Sequence, residues 1–135
     1  MIEFFVAGPP RGKARPRVTK KGIAFTPAET RNYEALLRLH AQQAMAGRAP
    51  LDGPVILEIV ALYPIPASWS KRKRAAALCG EQPLVKPDLD NIAKMADALN
   101  GVVWVDDAQV VRLIAEKRYS EQPGIQWIVR RKGEM

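Results

Sequence analysis

Asp88-Leu-Asp90-Asn91-Ile-Ala-Lys94-Met-Ala-Asp97-Ala-Leu-Asn100-Gly101-Val-Val-Trp104-Val-Asp106-Asp107-Ala-Gln109-Val-Val111 is the stretch on which the fold and the chemistry of this chain turn. Five of the six aspartates in the sequence fall between Asp88 and Asp107. Lys86 precedes a proline and is biased toward extended backbone, so a helix is expected to begin at Asp88. Asp88 suits the N-cap, with its side chain turned back over the first turn that also carries Asp90. Ile92, Met95, Ala96 and Leu99 supply the buried side, Lys94 shares a face with Asp90, and Asn100-Gly101 makes a left-handed stop at Leu99. A strand is expected over Val102–Val105, returning Asp106 and Asp107 toward the start of the helix. On a continuing strand these two would point to opposite faces, so at most one joins Asp88 and Asp90.

Outward from this stretch the chain reads as helices mixed with short strands. Ile2–Ala7 is an apolar strand, and Ile23–Phe25 a short return strand. Thr26-Pro27-Ala28-Glu29 has the form of a capping box with proline at the first helical position, opening a helix to about residue 46 with Tyr33, Leu36, Leu37, Ala41, Ala44 and Met45 on one stripe. Pro54–Tyr63 is a β-branched-rich strand, Ser68–Leu78 a helix stopped by Gly80, and Ile125–Arg131 a last strand. Residues 107–119 fit either type. The expectation is one α+β domain spanning 1–135, with two or three helices and about five or six strands on one mixed sheet.

Composition narrows the function. The chain of 135 residues carries 21 Lys and Arg against 14 Asp and Glu, a net charge of +7, which favours anionic partners such as nucleic acid. No apolar run approaches the ~20 residues of a membrane span. The opening Met-Ile-Glu-Phe-Phe-Val-Ala lacks the basic region of a signal peptide, and the lone Cys79 offers neither disulfide nor thiolate metal site, so a reducing cytoplasmic setting is expected. His40 is the sole histidine. Two-histidine acid–base chemistry and a histidine-rich zinc site are therefore excluded within one chain. His40 itself lies on or beside the helix stripe and reads as a packed or surface side chain.

A knot of carboxylates inside a basic protein repels polyanions unless a divalent cation sits between, and Mg²⁺ is held by one or two carboxylates plus substrate phosphates. Ordinary explanations stand beside this one. Asp88 alone could be an N-cap, Asp90 and Lys94 a helix pair, and Asp106-Asp107 a turn. Two basic segments are candidates for DNA contact. The loop Gly8–Gly22 carries Arg11, Lys13, Arg15, Arg17, Lys20 and Lys21 with no acid, and without apolar periodicity it has little to bury. Lys71-Arg72-Lys73-Arg74 is either a solvated helix face or a phosphate contact.

Asp88-Leu-Asp90-Asn91-Ile-Ala-Lys94, followed by Asp97-Ala-Leu99 and Trp104-Val-Asp106-Asp107-Ala-Gln109-Val-Val111, resembles the RusA family of Holliday-junction resolvases. The early Pro-Pro and the basic loop before the first helix also suit that family. The resemblance implies a homodimeric, Mg²⁺-dependent endonuclease, with Mn²⁺ as a substitute ion, that nicks four-way DNA junctions symmetrically in recombination and repair. It places the essential acids at Asp88, Asp90 and Asp107 as metal ligands and the essential lysine at Lys94; Asp106, beside Asp107, is expected to support the cluster. One departure is the basic run that family members can carry before Asp88, reduced here to Lys86-Pro87. Junction binding would then rest on Arg11–Lys21 or on Lys71–Arg74, with Lys86 in a lesser part. Two rival readings are a non-catalytic basic nucleic-acid-binding protein and a metal nuclease acting on other branched DNA.

Overall fold

The computed structural model describes residues 1–134. Six strands form, but four of them make the main sheet. β1 (Ile2–Ala7), β4 (Val55–Pro64), β5 (Val110–Ser120) and β6 (Gly124–Arg131) lie in the order β1-β6-β4-β5. β6 is antiparallel to both β1 and β4, whereas β5 runs parallel to β4, so the sheet is mixed. The other two strands, β2 (Arg17–Val18) and β3 (Ala24–Phe25), pair only with each other as a small exposed hairpin. The chain is thus α+β, as the sequence indicates, with the expected strands divided between two sheets.

β4 is buried on both faces, and its neighbours β5 and β6 both arrive from the C-terminal third. Val55, Leu57, Ile59, Ala61 and Tyr63 point to the core side, as alternate residues of a strand must. The helix α1 (Ala28–Met45) lays Tyr33, Leu37, Ala41 and Met45 over that face. Its N-cap is Pro27 and no side chain caps it, so the capping box expected from Thr26 does not form; Thr26 stands one residue outside the helix. Thr30 is instead buried in the first turn, and its hydroxyl accepts from the Ala14 amide at 3.3 Å. A second helix, α2 (Lys71–Leu78), is capped by Ser70, whose Oγ accepts from the Lys73 amide at 3.2 Å. Of its side chains only Ala77 is buried.

The helix expected over 88–99 is split. An α-helical turn, α3 (Leu89–Ala93), tightens into a 3₁₀ helix over Lys94–Leu99. Met95, Ala96, Ala98 and Leu99 are all buried there, and the repeat Ile92, Met95, Ala98 has a period of three, which a 3₁₀ turn aligns on one edge. Gly101 then takes φ +79°, the left-handed stop expected.

Val102–Val105 is not a strand. Val102 and Val103 return their amides to Leu99 O, and Gly101 donates to Trp104 O at 2.7 Å, so the backbone closes on itself. Trp104 is fully buried, and its Nε1 donates to Asn100 Oδ1 at 2.6 Å. Another 3₁₀ turn, at Asp107–Gln109, leads into β5 and resolves the ambiguous segment.

Candidate active site

Asp88, Asp90, Asn91, Lys94 and Asp97 line one cleft of about 520 Å³, opposite a wall made by Lys13, Ala14, Arg15 and Pro16. The compactness comes from α3 and the 3₁₀ turn that follows, which present these polar side chains outward while Ile92 and Met95 anchor the other side in the core. Asp88 occupies the N-cap backbone geometry, yet its carboxylate does not cap. It accepts instead from Lys86 Nζ at 2.8 Å. That hydrogen bond, reinforced by the charges of Lys86 and Lys117, holds the Asp88 carboxyl below its usual range. Asp90 and Lys94 share the cleft, but no ion pair joins them among the described residues.

Asp106 and Asp107 do not sit on a strand. Asp106 caps the turn that Asp107 begins, so the alternation expected of a strand does not apply. The side chain of Asp107 meets those of Asp106 and Asp97, and these carboxylates, with their charges, push its pKa up. Asp97, to which the sequence reading gave no part, is thus the bridge between Asp107 and the cleft. It is also held by Lys13 Nζ at 3.3 Å.

Gln109 fixes this corner, another role that sequence reasoning missed. Its Oε1 accepts from the amides of Val105 and Asp106 at 2.8 and 3.0 Å, and its Nε2 donates to the carbonyls of Leu51 and Gly53 at 2.8 and 2.9 Å. All four hydrogen-bonding positions of the amide are used. The Asp106-Asp107 turn is thereby tied to the start of β4.

The basic segment is docked rather than loose at its centre. Lys13 N donates to Asn91 O at 2.8 Å, and a Cβ added to Gly12 would meet Asn91 Cβ at 2.9 Å. Lys13 and Arg15 therefore face the acids, Arg11 pairs with Glu29 at 3.6 Å, and Arg17, Lys20 and Lys21 belong to the exposed hairpin. Lys71–Arg74 line no part of the cleft. Lys73 lies 4.3 Å from the Trp69 ring centre, which itself packs edge-on to Tyr119 of β5, and Arg74 donates to Pro66 O at 3.2 Å. His40 spends its Nδ1–H on Leu36 O, one turn back in its own helix, at 2.9 Å.

Two more side chains support Asp88 from the sheet. Tyr63 Oη donates to Pro87 O, and Lys117 Nζ donates to Val85 O at 2.7 Å while lying 5.0 Å from the Tyr63 ring centre. Burial, then the charge of Asp88, raises the Tyr63 pKa to about 12, so its hydroxyl remains a donor at neutral pH.

Nearly the whole chain matches a known family: the family model for endodeoxyribonuclease RusA fits residues 7–130. The chain belongs to the RusA family. It is also 35% identical over 136 residues to the uncharacterized protein YqaN of Bacillus subtilis (strain 168), covering 96% of this chain and 95% of that one. RusA membership supports an endodeoxyribonuclease that binds branched DNA. No helix is long and apolar enough to cross a membrane, among the described residues.

The divalent ion expected from the sequence would meet hard oxygen donors here. Every candidate ligand is a carboxylate oxygen, the hard donor that Mg²⁺ and Mn²⁺ take. The crowding that raises the Asp107 pKa is the kind of like-charge contact a cation relieves. Among the described residues, no three such groups already stand close enough together to enclose an ion.

Proposed function

We propose that this RusA-family chain is a structure-specific DNA endonuclease that resolves four-way junctions by paired symmetric nicks, acting with Mg²⁺ and as a homodimer. The observation that carries the reading is the shared cleft of Asp88, Asp90 and Lys94, faced by Lys13 and Arg15. Asp88, Asp90 and Asp107 would hold the ion, with Asp106 in support and Mn²⁺ as a substitute. When bound, the ion would supply charge neutralisation at the phosphate and a hydroxide at neutral pH. Lys94 would donate to a phosphate oxygen and stabilise the charge that develops there. Lys13 and Arg15 would orient the strand across the acids, since cations bind phosphates wherever the backbone passes. Two copies would present two such clefts to opposing strands of a junction.

Labelled synthetic four-way junctions, flaps and linear duplex, incubated with and without Mg²⁺, test the reading. Paired nicks in the junction alone, lost in Asp90→Asn with junction binding retained, are expected. Equal cutting of flaps would reassign the substrate to other branched DNA. Metal-independent binding with no cutting of any substrate would leave a nucleic-acid-binding protein.

A further inference from the structure

Beside the acidic cleft lies a second hollow of about 560 Å³, a size typical of small-ligand sites. Its floor is apolar, with Pro10 and Met95 buried and Pro27 and Pro87 half-buried. Its rim carries three cations, Arg11, Arg17 and Lys86, one acid, Glu29, which pairs with Arg11, and the ring of Phe25, which is 44% exposed. Arg17 has no ion-pair partner among the described residues. Ala14 lines both hollows, and the 2.8 Å pair of Lys86 with Asp88 joins their rims. An aromatic face, an apolar floor and a free guanidinium together suit a flat heterocycle attached to a phosphate.

We infer that this hollow seats one unstacked nucleotide next to the phosphate being cut, its base against Phe25 and its phosphate on Arg17; the inference rests on the nuclease reading above. Base–aromatic stacking is tolerant of sequence, because every base has a π-face. Unstacking a base costs less where the helical stack is already interrupted, as at a branch point. The seat would therefore favour branched DNA over intact duplex without any base-edge contact. Phe25, in the hairpin rather than in the acidic cleft, becomes a determinant of substrate choice.

A double-mutant cycle reads this directly. Four-way junctions carrying a single abasic site at each nucleotide flanking the cut are bound, without metal, by the full chain and by Phe25→Ala, Phe25→Leu and Phe25→Trp. One abasic position should weaken wild-type binding about ten-fold. The same lesion should change Phe25→Ala and Phe25→Leu less than two-fold, while Phe25→Trp keeps the sensitivity; thermal melts confirm that each variant is folded. Additive effects of lesion and substitution, or a wild type indifferent to every abasic position, overturn the seat. Adding Mg²⁺ to the same tubes separates the two ideas. Coupling without cutting keeps the seat and removes the nuclease, and cutting with additive effects does the reverse.

Discussion

Gly12 has room for a hydrogen and nothing larger, because an added Cβ would stand 2.9 Å from Asn91 Cβ and 3.1 Å from Pro87 Cβ. Both neighbours are first side-chain carbons, which cannot rotate away. Gly12→Ala should push the basic segment off α3 and slow junction cutting about ten-fold, while costing only about 1 kcal/mol of stability because the exposed segment can yield. Single-turnover cleavage beside a thermal melt checks this, and an unchanged rate would free Lys13 from any part in the cleft. Asp107 carries a second residue-scale consequence. Its pKa is raised by Asp106 and Asp97, so the folded chain holds that proton more tightly than the unfolded one. The associated stability is present below the ordinary carboxylate pKa and is lost as pH rises through the raised value. Asp106→Asn should bring the Asp107 titration down in a carboxyl NMR series, and should stabilise the fold at neutral pH but not in acid; an unmoved titration would contradict the contact. Asp88, Asp90 and Lys94 were legible because their relation is local, within two helical turns. Asp97 and Gln109 were not, because their partners Lys13, Leu51 and Gly53 lie more than fifty positions away in sequence.

At the scale of elements, the segment entering α3 is held by side chains from two neighbouring strands, Tyr63 on β4 and Lys117 on β5. Tyr63→Phe removes one hydroxyl donor and leaves the ring, and a hydrogen bond of this kind is worth about 1 kcal/mol. Amides in the peptide around residues 83–88 should then exchange with deuterium several-fold faster while those of β6 stay protected, and Lys117→Met should add to the effect. Equal exchange in wild type and variants would show that the segment holds its shape unaided. Strong local signals made α1, β1, β4 and β6 readable in advance, since each is an apolar stripe or run with a punctuated end. The strand expected at Val102–Val105 failed for a physical reason: Leu99 and Trp104 consume its backbone hydrogen bonds, and β propensity cannot see that competition. The capping box at Thr26 failed similarly, with the helix starting one residue later and Thr30 turned to Ala14 instead.

Over the whole molecule, the net charge of +7 is distributed in patches of different use. Lys13 and Arg15 face the acids, whereas Arg17, Lys20 and Lys21 stand out on the β2–β3 hairpin, and Lys71–Arg74 wrap the first turn of α2 elsewhere on the surface. Neutralising Arg17, Lys20 and Lys21 together should lower junction affinity and flatten its salt dependence, by about 0.9 in the slope of log K against log[salt] for each duplex phosphate no longer neutralised. The cutting rate at saturating protein should fall much less. Wild-type affinity across the salt series would pass the clamp to α2. The order β1-β6-β4-β5 has a consequence of another kind, in time rather than in space. Among the described residues β1 has no sheet partner but β6, and β4 finds both of its neighbours only from residue 110 onward. While the chain is being synthesised, the apolar ladder of β4 is made first and left bare, and non-local pairing of this sort closes slowly. The acids inherit that delay, since α3 rests on a sheet not yet built. Ribosome-bound chains stalled before Gly124 should accordingly be cut readily by protease and held by chaperones.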